Sequence, residues 1–306
     1  MEAAPLKVLY IGGYSRSGST ILTNAIGEID GYFGAGELMA VWDQYLTDAP
    51  CGCGEPVPVC PIWSKTLEAA FGEPDRSHFE EMRRLRNSEW QSAKVPRWVF
   101  QPSYREQLVN KLGPYLDAVG RVYRSLAQVV PGQVIVDSSK NPAYLYFLSL
   151  VPGLDIRFVH IVRDPRATAY SWQREKEGFE SHGVWESVKS WNARNAMLAL
   201  LGNRALTSYM RVKYEDFVMD PATTLAEVTR FADEPRTNFP FLEEGQIHLT
   251  GNHLVYGNPD LFRSGSAKLV VDERWKVGME TSRQLAVAAA SLPLMWRFGY
   301  PLRPTE

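Results

Sequence analysis

Four short stretches carry nearly continuous apolar or β-branched side chains: Leu6–Ile11, Val134–Val136, Ile156–Val162 and Tyr209–Tyr214. A run with no polar alternation is what a strand buried on both faces of a parallel sheet requires. Between these runs the apolar spacing lengthens to a helical period. Ile21, Leu22, Ala25 and Ile26 share a face of Thr20–Ile29, and Val184, Trp185, Val188, Trp191 and Leu198 share a face of Val184–Leu201. Helix starts are written at Asn141-Pro142, Asp164-Pro165 and Asp220-Pro221, each a capping side chain followed by a proline whose missing N–H is harmless at the first helical position. The charged stretch Asp75–Lys94 predicts a surface helix, and Gly/Pro-rich Ala49–Pro61 a loop. Strands alternating with helices predict an α/β sandwich around a parallel sheet. No internal repeat or linker divides the chain, so residues 1–306 are expected to form a single domain with a variable, aromatic-rich helical region around 39–130.

Composition narrows the function classes. Lys plus Arg is 33 and Asp plus Glu is 35, a net charge of −2, which argues against a surface built to grip nucleic acid or anionic lipid while leaving room for a local basic pocket. The start, Met1-Glu2-Ala3-Ala4-Pro5, lacks the positive charge of a signal peptide. The most apolar later stretch, Leu285–Trp296, is broken by Ser291 and Pro293 and is too short for a membrane span. A cytoplasmic enzyme is therefore expected. Three cysteines cannot be a disulfide framework. Cys51-Gly52-Cys53 with Cys60 also matches paired zinc ligands poorly, having gaps of one and six residues and no histidine nearby in the sequence. No metal is expected there, and the segment reads as a packed loop bordering a ligand pocket.

The chemistry starts where the first strand ends. Gly12-Gly13-Tyr14-Ser15-Arg16-Ser17-Gly18-Ser19-Thr20 is a glycine-rich strand-to-helix turn, whose backbone N–H groups converge in front of a helix dipole and cradle an anion. Gly13-x4-Gly18 has Walker A spacing, but Ser19-Thr20 stands where that motif needs Lys-Ser/Thr, and the cation, Arg16, sits inside the loop. A second anion site follows the third predicted strand: Arg163 at its end and Ser171, a little under two turns into the next helix, can face one ligand group. Asp137, ending a strand, is expected to serve as a cap or salt-bridge partner; the rival reading is a Walker B carboxylate that would hold Mg²⁺ in a kinase or NTPase, which the missing Walker lysine disfavours.

Together these motifs resemble those of sulfotransferases that use 3′-phosphoadenosine 5′-phosphosulfate (PAPS), bacterial type. In that family Ser15–Thr20 would grip the 5′-phosphosulfate and Arg163 with Ser171 the 3′-phosphate. Val212-Lys213-Tyr214-Glu215-Asp216 resembles the strand end whose tyrosine lies near adenine. His253-x3-Gly257-Asn258-Pro259-x2-Phe262-Arg263-x-Gly265 resembles the C-terminal segment that closes over the donor with basic residues, here Arg263 and Lys268. The resemblance implies a P-loop NTPase-like three-layer sandwich with a central parallel sheet, PAPS as co-substrate and no metal. Where phenol sulfotransferases carry a catalytic histidine, this chain reads Asp137-Ser138-Ser139-Lys140. Gly36-Glu37-Leu38 instead resembles the Gly-Glu segment of protein-tyrosine and carbohydrate sulfotransferases, making Glu37 the expected base and Lys140 the contact to the transferring group. The expected reaction is sulfuryl transfer to a hydroxyl of a metabolite, lipid or saccharide, with a peptide tyrosine as the alternative acceptor and a P-loop kinase as the less favoured activity. His160 is expected to be a core residue, and His248 and His253 to serve either as structural groups or near the acceptor.

Overall fold

The computed structural model describes residues 4–303 apart from 74, 131, 133, 174–182 and 258–263. Five parallel strands form the central sheet: β1 (Leu6–Gly12), β2 (Tyr32–Gly36), β3 (Val134–Asp137), β4 (Leu154–Val162) and β5 (Ser208–Lys213), in the order β2-β3-β1-β4-β5. β1 lies in the middle, with Leu9 opposite Val136 on one side and Gly12 opposite His160 on the other.

Alternation along β1 explains the layers. Val8 and Tyr10 face a core shared with Phe158 of β4, the long helix Pro102–Val129 and the helix Pro142–Leu148, while Leu9 and Ile11 face a second core shared with Ser19–Gly27 and Pro221–Phe231. Both faces of the sheet are covered, so the continuous apolar runs are required by burial. Helices stack on either side of the sheet in a P-loop-like sandwich. The three sequence-marked caps are made: Asn141 Oδ1 accepts from Ala143 and Tyr144 N–H, Asp164 from Arg166 N–H, and Asp220 from Thr223 N–H.

Two sheet elements were not visible in the hydrophobic pattern. β2 reads Tyr-Phe-Gly-Ala-Gly, and its last glycine is required by close backbone approach: a Cβ on Gly36, at φ 80°, would stand 2.8 Å from Val255 N. The other is a small antiparallel sheet of β6 (Leu242–Glu243), β7 (Gln246–Leu249) and β8 (Gly265–Lys268), whose strands are too short to show a period. Asp75–Lys94 resolves into the helix Arg76–Glu89, capped by the Asp75 side chain, with Phe79, Met82 and Leu85 buried. It is amphipathic, not merely a surface helix. The aromatic residues expected in the 39–130 region divide: Trp42, Trp63 and Trp98 are core residues, and Trp90 reaches the cavity described below. Among the described residues no helix is long and apolar enough to cross a membrane.

Candidate active site

In a parallel sheet all strands end on one edge, and ligands collect there where the strand order reverses. Read across that edge, Glu37 follows β2, Lys140 follows β3, the loop 13–18 follows β1, Arg163 follows β4 and Tyr214 follows β5. All five strand ends border one cavity of about 770 Å³. Among the described residues its lining includes five cations, Arg16, Lys140, Arg163, Arg194 and Lys268, against one carboxylate, Glu37. An excess of fixed positive charge in a concave, partly desolvated space selects an anion.

The loop after β1 is shaped by close backbone approach. A Cβ on Gly13 would lie 2.6 Å from the Ile161 carbonyl oxygen, and one on Gly18 (φ 82°) would collide with the Tyr214 ring. Arg16 is also left-handed, with φ 68°. Two left-handed residues just ahead of the helix turn its first N–H groups, which no helical carbonyl can satisfy, toward a common centre. Ser15, Arg16, Gly18, Ser19 and Thr20 line the cavity as expected. Ser17 does not: it is fully buried and its N–H closes the turn onto Tyr14 O at 3.2 Å, so it shapes the loop from below.

Both arginines of the anion sites are held on aromatic faces. Arg16 lies over Trp172, 5.2 Å from the ring centroid, and Arg163 over Tyr214 at 4.6 Å. Stacking fixes a guanidinium plane and leaves its N–H edge for a ligand. Arg163 also donates to the Arg16 carbonyl at 2.9 Å, a bond between the end of β4 and the loop after β1. Ser171 joins Arg163 at the cavity wall, and Lys268 reaches it from β8. Arg263 lies outside the described residues. Arg166 is no phosphate ligand: it is buried, paired with Asp164 and bonded to the carbonyls of Pro301 and Leu302, which ties down the end of the chain.

At the opposite end Glu37 and Lys140 form an ion pair, Nζ to Oε1 at 2.7 Å, with side chains 12% and 16% exposed. Gly36 at φ 80° turns the chain so that Glu37 points inward, and the backbone of Glu37 donates to Tyr256 O at 3.3 Å. Ser138 N–H to Gly36 O (2.8 Å) and Met39 N–H to Ser139 Oγ (3.0 Å) clamp the ends of β2 and β3 together. Lys140 itself holds a left-handed backbone at φ 60°, a conformation costing of order 1 kcal/mol that persists where surrounding contacts impose it. One such contact is Arg194, donating to the Lys140 carbonyl at 3.3 Å. Arg194 was missed in the sequence; its signal is a cation three residues after Trp191, on the flank of an otherwise apolar stripe.

Asp137 is a cap. One carboxylate oxygen accepts from Ser139 N–H (2.7 Å) and Ser139 Oγ (2.5 Å), the other from the Tyr123 hydroxyl, and the side chain does not border the cavity. A Walker B role would need those oxygens for a metal. Burial pushes its pKa up to about 6, against the opposing bonds from Ser139 and Tyr123. Because the folded pKa lies above the unfolded one of about 3.8, this group's contribution to stability is fully present below pH 4 and falls as pH rises toward 6. Asp137→Asn is therefore expected to flatten the pH 4–6 portion of the stability profile measured by urea unfolding; an unchanged slope would count against a buried, titrating Asp137.

The three histidines singled out in the sequence lie away from the cavity. His160 bonds Asn195 Oδ1 at 2.8 Å and Tyr209 OH at 3.1 Å, with burial lowering its pKa to about 4, and so stays neutral in the core. His248 faces Ser266 Oγ at 2.8 Å on the small sheet, and neither it nor His253 borders the cavity. Nor does any residue of 49–61, so the cysteine loop does not edge this pocket as its composition suggested.

Comparison with known proteins bears on the fold and the family. Human carbohydrate sulfotransferase 3 is 30% identical over 183 residues, which is 52% of this chain and 36% of that protein, so the match spans about a third of the relative's length. The sulfotransferase domain from the Synechococcus PCC 7002 olefin synthase shares the fold, with a TM-score of 0.59 at 17% identity, covering 99% of this chain and 98% of that one. The sulfotransferase domain from the curacin biosynthetic pathway does likewise, with a TM-score of 0.56 at 15% identity, covering 99% and 100%. Residues 9–238, from the first strand through the caps, the anion loop and Tyr214, match the sulfotransferase family as a whole, and the chain belongs to that family.

Proposed function

We propose that the protein transfers a sulfuryl group from PAPS to a hydroxyl of a small-molecule acceptor. The observation that carries this reading is the order of groups along the sheet edge: a carboxylate–lysine pair, then an anion loop, then a second anion site beside a tyrosine. A donor with phosphates at two separated positions fits the loop after β1 and the Arg163–Ser171 wall. The fit is supported by the five-to-one excess of cations and by the glycine at position 18, which lets Tyr214 lie against the loop.

The donor supplies an activated sulfur–oxygen bond; the chain supplies position and charge. First-turn N–H groups and Arg16 would neutralise the leaving 5′-phosphate. Lys140 would contact the oxygens of the transferring group, and Glu37 would take the acceptor's proton as the new oxygen–sulfur bond forms. Once that proton arrives, the Glu37–Lys140 pair loses its anionic half, freeing the lysine for the sulfuryl oxygens. The acceptor would enter on the side of Met39, Trp90, Gln91 and Ser92, contributed by the helical region between β2 and β3. The named substrate class of the human relative makes a saccharide hydroxyl one acceptor to screen beside metabolites and lipids.

Thermal unfolding tests the donor. Adenosine 3′,5′-bisphosphate at a hundredfold excess over its Kd is expected to add about 2.7 kcal/mol, roughly 4 °C for a chain of this size, while Mg²⁺-ATP gives less. A larger shift with Mg²⁺-ATP would overturn the reading in favour of phosphoryl transfer.

A further inference from the structure

The three cysteines and His253, the histidine that sequence spacing did not bring near them, meet at one point outside the cavity. Cys60 Sγ lies 3.5 Å from Cys51 Sγ, 3.7 Å from Cys53 Sγ and 3.3 Å from His253 Nδ1, and Cys51 Sγ lies 3.9 Å from the same nitrogen. The four donor atoms are all within 4.8 Å of one another. Zinc bonds of about 2.3 Å to sulfur and 2.0–2.1 Å to nitrogen give a tetrahedron with edges of about 3.8 and 3.6 Å, close to these separations. A disulfide needs sulfurs about 2.05 Å apart, and all three thiols are free.

The surroundings are those of ligands, not of packed thiols. Cys51 and Cys60 are buried, whereas Cys53 is exposed and leaves an entry path. Backbone N–H groups are aimed at sulfur: that of Cys53 at Cys51, and those of Ile62 and Trp63 at Cys60. Such outer donors orient metal-bound thiolates and offset their charge. The loop is preformed by Cys51 N–H to Glu55 O and Gly54 N–H to Cys51 O, both 2.8 Å.

We propose that Cys51, Cys53, Cys60 and His253 form a tetrahedral site for a structural Zn²⁺ ion. Four protein donors leave no open coordination position, so the ion takes no substrate. On binding, three thiol protons leave to solvent, four zinc–ligand bonds form, and the site carries a net charge of −1. Its task is mechanical. Gly52 N–H donates to Leu254 O at 2.9 Å and Trp63 Nε1 to His253 O at 2.6 Å, so the cysteine loop grips the 252–256 strand-like segment. That segment in turn bonds β2 through Val255 N–H to Ala35 O at 2.9 Å, and receives the Glu37 N–H at Tyr256 O. A zinc ion would thus lock two parts of the chain some 200 residues apart onto the shoulder that carries Glu37.

The test needs no substrate. Metal analysis of the wild-type protein, purified without chelator and under reducing conditions, is expected to find about one zinc per chain. After removal of the zinc, Co²⁺ should produce thiolate-to-cobalt charge-transfer absorption and the intense visible bands of a tetrahedral site. His253→Ala should shift those bands and Cys53→Ser, at the exposed ligand, should weaken Co²⁺ retention; both positions tolerate smaller side chains better than buried Cys60. Folded, reduced wild-type protein that carries no zinc and develops no cobalt bands would overturn the proposal, as would thiol counting that finds two of the cysteines joined in a disulfide.

Discussion

Glu37→Gln is expected to lower kcat for sulfuryl transfer by about 10²–10⁴-fold, the usual worth of a positioned general base. Gln keeps the size of the side chain and an oxygen that can accept from Lys140 Nζ, the partner now at 2.7 Å. What it loses is the ability to hold a proton. Binding of adenosine 3′,5′-bisphosphate should be unaffected, because the contacts proposed for it lie at the β1 and β4 ends of the sheet and Glu37 stands beyond β3. The informative measurement is therefore the split between kcat and donor affinity. Turnover near that of the wild type would remove Glu37 from the chemistry. A parallel loss of bisphosphate binding would show instead that the Glu37–Lys140 pair is needed to form the cavity.

The second large effect falls on recognition. Arg163→Ala should weaken binding of adenosine 3′,5′-bisphosphate by about 10–100-fold, since hydrogen bonds to charged groups are worth about 1.5–3 kcal/mol. Adenosine 5′-phosphosulfate, which lacks the 3′-phosphate, should bind wild type and variant alike. The comparison matters because Arg163 also bonds the Arg16 carbonyl and stacks on Tyr214. If both ligands weaken equally in titration calorimetry, Arg163 acts by bracing the loop and the two-phosphate reading fails.

Much of this architecture is legible in the chain because local and global demands coincide. β1, β3 and β4 are buried over most of their length, so their side chains are largely apolar, while β5 at the sheet edge buries only Val212; the three Asx-Pro caps are local chemistry that needs no tertiary context. β2 is hidden because its glycines answer to the distant segment 254–256 packed against them, and packing partners are not written in a single strand. The same distinction applies to the site. Arg16 and Arg163 follow strands visible in the sequence, where topology brings them together, whereas Glu37 and Lys140 are picked out only by the family resemblance. Arg194 comes from the middle of a helix and His253 from far along the chain, so each becomes recognisable only once the cavity or the cysteine loop has been built. Ser17 shows the converse, a motif position that folding turns away from the ligand side.

The central place of β1 also bears on how the chain is made. Its neighbours in the sheet, β3 and β4, begin at Val134 and Leu154. A ribosome adding about 5–20 residues per second takes roughly 6–24 s to reach them, and for that interval the strand Leu6–Gly12 has no permanent pairing partner. The strand at the heart of the finished sheet thus waits for its partners far longer than a strand joined to its neighbour by a short turn.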